Sequence, residues 1–164
     1  MTIRTAKRED ASLIMSLVRE LAAFEREPDS VKMTEEGLAP DGFPEAVGEH
    51  YFDCIIAEED GEPAGMALFF PVYSTWRGRC LHLEDLYVRP RFRGRGVGKA
   101  LLTKVAAIAV ERGCAKLFWH VLDWNEPAIT FYKSLGATAL DEWTRMQLVD
   151  DALAAVAAQS EATA

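Results

Sequence analysis

Leu83-Glu84-Asp85-Leu86-Tyr87-Val88-Arg89-Pro90-Arg91-Phe92-Arg93-Gly94-Arg95-Gly96-Val97-Gly98-Lys99 is the stretch on which the reading of this chain turns. An apolar strand runs into a glycine-rich basic turn, and the turn opens a helix. A helix start leaves backbone N–H groups without acceptors and carries the positive end of the helix dipole, so it suits a phosphate or pyrophosphate. Gly94, Gly96 and Gly98 let the backbone come close to such an anion with no Cβ in the way. Spacing excludes two phosphate loops. A Walker loop needs Gly at 93 and Ser or Thr after Lys99, where the chain has Arg93 and Ala100. A dinucleotide fingerprint begun at Gly94 needs Gly where Lys99 stands.

Outward from this stretch, the rest of the chain reads as one α/β domain. A length of 164 residues with 49% hydrophobic content is enough for one sizeable core. A short strand at Ile3 precedes a helix with Ile14, Leu17, Val18, Leu21 and Phe24 at helical spacing, and Thr34 with Glu35 and Glu36 caps a second short helix. Residues 40–48 read as loop. Strands at 51–57 and 64–73 flank a hairpin turn in which Asp60-Gly61 takes positive φ. Trp76-Arg77-Gly78 turns the chain into a strand at 80–88. After the glycine turn, Val97, Leu101, Leu102, Val105 and Ile108 form the inner face of a helix that Gly113 ends. A buried strand is expected at 116–122, a helix with Pro127 in its first turn and Gly136 after its end, and a last strand around Trp143 to Val149. Residues 1–149 form the expected domain; the alanine-rich 150–164 is a marginal helix or frayed tail.

The formal charge of −8 argues against nucleic acid and favours a cationic partner; the basic run at 89–95 suits one bound anion. Cys54, Cys80 and Cys114 lack pairing or Cys-x-x-Cys spacing and read as small buried residues. His50, His82 and His120 have no metal-ligand spacing, so no metal is expected. With no apolar leader and no run of membrane-spanning length, the expectation is a cytoplasmic protein away from membranes.

Arg93, Gly96 and Gly98 form Arg-x-x-Gly-x-Gly, which resembles the pyrophosphate loop of the GNAT acetyltransferase superfamily. A second segment, Val121 to Ala137 with Asn125-Glu126-Pro127-Ala128 and Tyr132, resembles the other half-site of that superfamily. Leu83-Glu84-Asp85 and Trp124-Asn125-Glu126-Pro127 further resemble the diamine (spermidine/spermine) acetyltransferases, and Tyr73 to Arg79 and Val121 to Asn125 look closer to the thialysine branch. The resemblance implies a mixed, mostly antiparallel sheet flanked by helices, with acetyl-coenzyme A as acetyl donor and coenzyme A as product. It further implies a primary amine of a small molecule as substrate and a homodimer. A protein lysine or N-terminal acetyltransferase and a non-catalytic acyl-CoA-binding module stand as alternatives.

Residue by residue, the resemblance puts the diphosphate on Arg93, Gly94, Arg95, Gly96, Val97, Gly98 and Lys99. The pantetheine falls on the backbone of Leu86, Tyr87 and Val88 and on Asn125, Pro127, Ala128 and Tyr132. Glu84 becomes the amine's base, directly or through water, Asp85 a binding group and Tyr132 the acid for the leaving thiolate. The plain readings of these residues are a strand-end ion pair for Glu84 and Asp85, a helix cap for Asn125 and core for Tyr132. Phe24, Glu25 and Trp76 match positions near the amine, although Phe24 also fits helix core and Trp76 a hairpin anchor; His120 stands beside the amine channel. The chain departs from the diamine enzymes at Ser74-Thr75, where they carry Asp-Pro, and from both branches at Phe118-Trp119-His120.

Overall fold

A computed structural model describes residues 1–45 and 49–163, which form two compact units, Met1–His120 and Val121–Ala164. The first holds a five-stranded sheet in the order β1-β2-β3-β4-β5: β1 (Thr2–Thr5), β2 (Asp53–Glu59), β3 (Glu62–Ser74), β4 (Gly78–Val88) and β5 (Lys116–Phe118). The first four strands pair antiparallel and β5 joins β4 in parallel, so the sheet is mixed and mostly antiparallel as expected. The β2–β3 turn forms at Asp60 and Gly61, with φ of 54° and 80°, the conformation a two-residue hairpin requires.

Helices cover both faces of this sheet. Helices α1 (Ala11–Phe24) and α2 (Glu35–Gly42) bring Ile14, Met15, Leu17 and Leu38 onto Cys54, Ile56, Met66, Leu68 and Tyr87. Helix α3 (Val97–Glu111) packs against β2, β3 and β4 and buries Val97, Leu101, Leu102, Val105 and Ala109. Each large side chain so buried is worth about 1.5 to 3 kcal/mol over exposure, which outweighs the poor helix propensity of Gly98. Ile108, expected inward, is half-buried, and Ala109 takes the inner position.

Thr34 caps α2 by accepting from the Gly37 N–H at 3.2 Å, as its position predicts. Pro40 lies inside α2, not in a loop. It sits in the last turn, so a single backbone bond is forgone there, and the Phe43 N–H still closes the helix on Ala39. Residues 43–45 lie in neither helix nor strand, as expected of a loop, and residues 46–48 lie outside the described residues.

The second unit holds α4 (Glu126–Ser134), followed by Gly136 at φ 89°, and α5 (Asp150–Ala157), which continues as a short 3-10 segment. Two sequence expectations are corrected. The strand expected at 116–122 ends at Phe118, and Trp143–Val149 is no strand. Alternating apolar residues are insufficient where no neighbouring strand supplies a ladder, and Trp143, Met146, Leu148 and Val149 are exposed.

Candidate active site

Strand β4 changes character at Glu84. His82 lies opposite Phe70 and Asp85 opposite Leu68, with the register slipping between Leu83 and Asp85, so Glu84 is an extra, bulged residue. In a regular strand His82 and Asp85, three residues apart, would face opposite sides. The bulge turns both toward the face covered by α1, because Phe70 and Leu68 both pack into that core. Glu84 reaches the same side, with its Oε2 3.0 Å from His82 Nε2. Two successive carboxylates thus share one face at the end of α1, where Glu25 is the C-cap.

The electrostatics follow from this crowding. Burial, together with the charges of Glu84 and Glu25, pushes the Asp85 carboxyl up to about 7, and burial pushes Glu25 upward as well. Among the described residues no Lys or Arg pairs with Glu84 or Asp85; the hydrogen-bond partner of Glu84 is His82. Carboxylates gathered this way favour an incoming cation.

Beyond His82 the ladder opens. Strand β5 pairs with Cys80, Leu81 and His82 alone, whereas Leu86, Tyr87 and Val88 pair with β3 on one side only. An extended ligand carrying amides fits such an edge.

The chain then enters the glycine turn. Gly94 (φ 75°) and Gly96 (φ 85°, N-cap of α3) adopt the left-handed conformation, and a Cβ at either would meet nothing within 4 Å. Both glycines therefore serve backbone shape beside open space, and the amides of Gly94 to Lys99 fit a pyrophosphate at the helix start. The arginines contact their own chain. Arg93 donates from Nε to the Val88 carbonyl at 2.9 Å and lies 4.7 Å from the Phe24 ring centroid. Arg95 faces Glu59 at 3.5 Å, and Lys99 is exposed.

In the second unit, Asn125 caps α4 by accepting from the Ala128 N–H at 3.4 Å, so its plain reading is realised. Pro127 occupies the first turn, where its missing N–H costs nothing. Tyr132 is half-buried on α4, its ring centroid 5.2 Å from that of Phe131.

Of the expected amine-site residues, Glu84, Asp85 and Glu25 come together. Phe24 lies under Arg93, and the ring of His120 is 5.2 Å from that of His82. Trp76 does not join them. It is 86% exposed in the β3–β4 turn, where Ser74 Oγ accepts from its N–H, and the strand from Gly78 to Glu84 spans roughly 20 Å.

Sequence reasoning missed His82 and the Arg89–Glu20 pair. Arg89 grips Glu20 through Nε and Nη2 and donates to the Pro63 carbonyl, tying α1 to the end of β4. A His two residues before Glu84 on one strand was a usable signal; Glu20 and Arg89, far apart in sequence, offered none. The buried Cys54 thiol is pushed up to about 12, mainly by burial, which makes it inert as a nucleophile. Among the described residues no group of His, Cys, Asp and Glu could hold a metal ion, and no helix is long and apolar enough to cross a membrane.

The acetyltransferase (GNAT) family model matches residues 14–137. The chain is 44% identical over 149 residues to the thialysine N-epsilon-acetyltransferase of Sus scrofa, covering 85% of each chain. It is 32% identical to the L-ornithine N5-acetyltransferase of Arabidopsis thaliana, covering 94% of this chain and 86% of that one. In fold it is similar to an aminoglycoside acetyltransferase from an uncultured soil metagenomic sample, with a TM-score of 0.75, 17% identity and coverage of 92% and 96%. Identity of this order over nearly the whole length places the chain in the GNAT family, as an acetyltransferase that uses acetyl-coenzyme A.

Proposed function

We propose that the protein acetylates the terminal amine of thialysine or a similar short primary amine, by direct transfer in a ternary complex. The bulge that gathers Glu84 and Asp85 beside Glu25, with no Lys or Arg among the described residues paired to Glu84 or Asp85, carries this reading: an ammonium group supplies the missing cation. Acetyl-coenzyme A supplies an acetyl thioester. The amides of Gly94 to Lys99 would hold its diphosphate, with Arg93, Arg95 and Lys99 adding positive charge, and Leu86, Tyr87, Val88, Asn125, Pro127 and Ala128 would hold the pantetheine arm.

An alkyl amine of pKa near 10.4 is neutral in only about one molecule in 2,500 at pH 7, so deprotonation requires roughly 4.6 kcal/mol. Glu84 takes that proton, directly or through water, while Asp85 and Glu25 hold the cation in place. Tyr132 gives its phenolic proton to the departing thiolate. The buried Cys54 thiol does not compete with direct transfer, because burial pushes it up and away from the reactive thiolate.

Residues 1–149 form the proposed catalytic domain, with 150–164 appended. The exposed Trp143, Met146 and Leu148 support a homodimer, to be checked by light scattering, and a cytoplasmic location is proposed with it. Thiol release across thialysine, lysine, ornithine, diamines, spermine, aminoglycosides and lysine peptides tests the substrate. Thialysine or another short amine should lead. A preference for spermine of about tenfold, or roughly 1.4 kcal/mol, would return the protein to the polyamine branch, and turnover of peptides alone would make it a protein acetyltransferase. Coenzyme binding with no turnover anywhere would leave a regulatory module.

A further inference from the structure

Glu84 does not hold its position alone. The side chain of His82 is 8% exposed, and its Nε2 lies 3.0 Å from Glu84 Oε2. Three rings fix the imidazole: Phe70, Phe118 and His120, with centroids 5.1, 4.7 and 5.2 Å away. Phe70 comes from β3 and Phe118 from β5, so the sheet itself sets the direction of the ring. Glu84 is the opposite case. It is bulged out of the ladder and its side chain is 47% exposed, so its carboxylate would sample many rotamers without a partner.

We propose that His82 is a positioning residue for acetyl transfer: its Nε2–H holds Glu84 Oε2, which leaves Oε1 aimed at the substrate amine. Ring packing from β3 and β5 fixes His82, His82 fixes the carboxylate, and the carboxylate meets the ammonium. A base held in a near-attack geometry reacts faster than one that must first be oriented. The inference rests on the amine-site reading of Glu84 above.

Its test is a double-mutant cycle in the full chain, with thialysine and acetyl-coenzyme A as substrates. His82→Phe keeps the ring packing and removes the donor; kcat/KM for thialysine should fall about tenfold or more while acetyl-coenzyme A affinity stays within twofold. His82→Asn, whose amide stops short of Glu84, should show the same loss. His82→Gln, whose amide N–H reaches further, should recover most of the activity. In a Glu84→Gln background, His82→Phe should change kcat/KM less than twofold, an outcome a merely structural histidine would not give. Wild-type rates in His82→Phe, equal losses in both backgrounds, or no rescue by Gln would overturn the proposal. Full activity of Glu84→Gln would instead remove the amine-site reading itself, so the two failures are told apart.

Discussion

The two halves of β4 obey different rules. From Cys80 to His82 the strand is flanked by β3 and β5, and its side chains are buried. From Glu84 to Val88 it is paired on one side, opens with a bulge carrying adjacent carboxylates, and leads into the glycine turn at the start of α3. Stability belongs to the first half and chemistry to the second. The lesson is that a sheet does its binding where its ladder stops, because unpaired backbone and uncompensated charge are left there to meet a ligand. His82 links the halves, rooted in the paired part and reaching Glu84 in the open part.

The comparison breaks if substitutions in the two halves have the same effects. Glu84→Gln should show the largest loss, about 10²- to 10⁴-fold in kcat/KM for thialysine, with the melting temperature nearly unchanged. Steady-state kinetics beside a melting curve checks it.

Leu81→Ala, in the paired half and fully buried, should instead cost about 2 to 5 kcal/mol of stability in urea unfolding and leave kcat of the folded enzyme nearly intact.

Asp85 sharpens the contrast through pH. Its carboxyl is pushed from 3.8 up to about 7, so the folded state binds the proton more tightly than the unfolded chain. Stability associated with this group is therefore present at low pH and is lost as pH rises from about 4 to 7, with a limit of about 4 kcal/mol above that window. Asp85→Asn should accordingly raise the melting temperature at pH 8 and not at pH 4, while weakening thialysine binding at pH 8. Equal melting shifts at both pH values would contradict this account of the charge.

Gly96→Val has the smallest expected effect. Forcing a β-branched side chain into φ 85° strains the start of α3 and should weaken acetyl-coenzyme A binding about tenfold by calorimetry, with thialysine KM little changed.

Sequence made some of this legible and hid the rest for physical reasons. Asp60-Gly61 was readable because positive φ is a local demand that few residues meet, whereas Gly94 and Gly96 were read for close backbone approach and only the structure shows their positive φ. The inner face of α3 was readable from helical period, with a one-residue slip from Ile108 to Ala109 at its end. The bulge at Glu84 was not, since a change of strand parity depends on how β3 pairs, and nothing in Leu83-Glu84-Asp85 announces it. Trp143 to Val149 looked like a strand for the complementary reason: apolar pattern shows what a segment can pair with, not whether a partner is there. Pro40 misled because a proline in a last turn forgoes only one bond. Adjacent carboxylates in an apolar strand were visible at once; that His82 holds one of them, and that Trp76 lies a strand's length away, required the register.

The most direct measurement is a crystal structure of the protein with coenzyme A and thialysine. The account predicts the diphosphate on the amides of Gly94 to Lys99 and the substrate's terminal nitrogen within about 3 Å of a Glu84 oxygen, or one water away, with His82 still on the other oxygen. Density placing the amine away from Glu84 and Asp85, at the paired end of β4 or elsewhere, would contradict it.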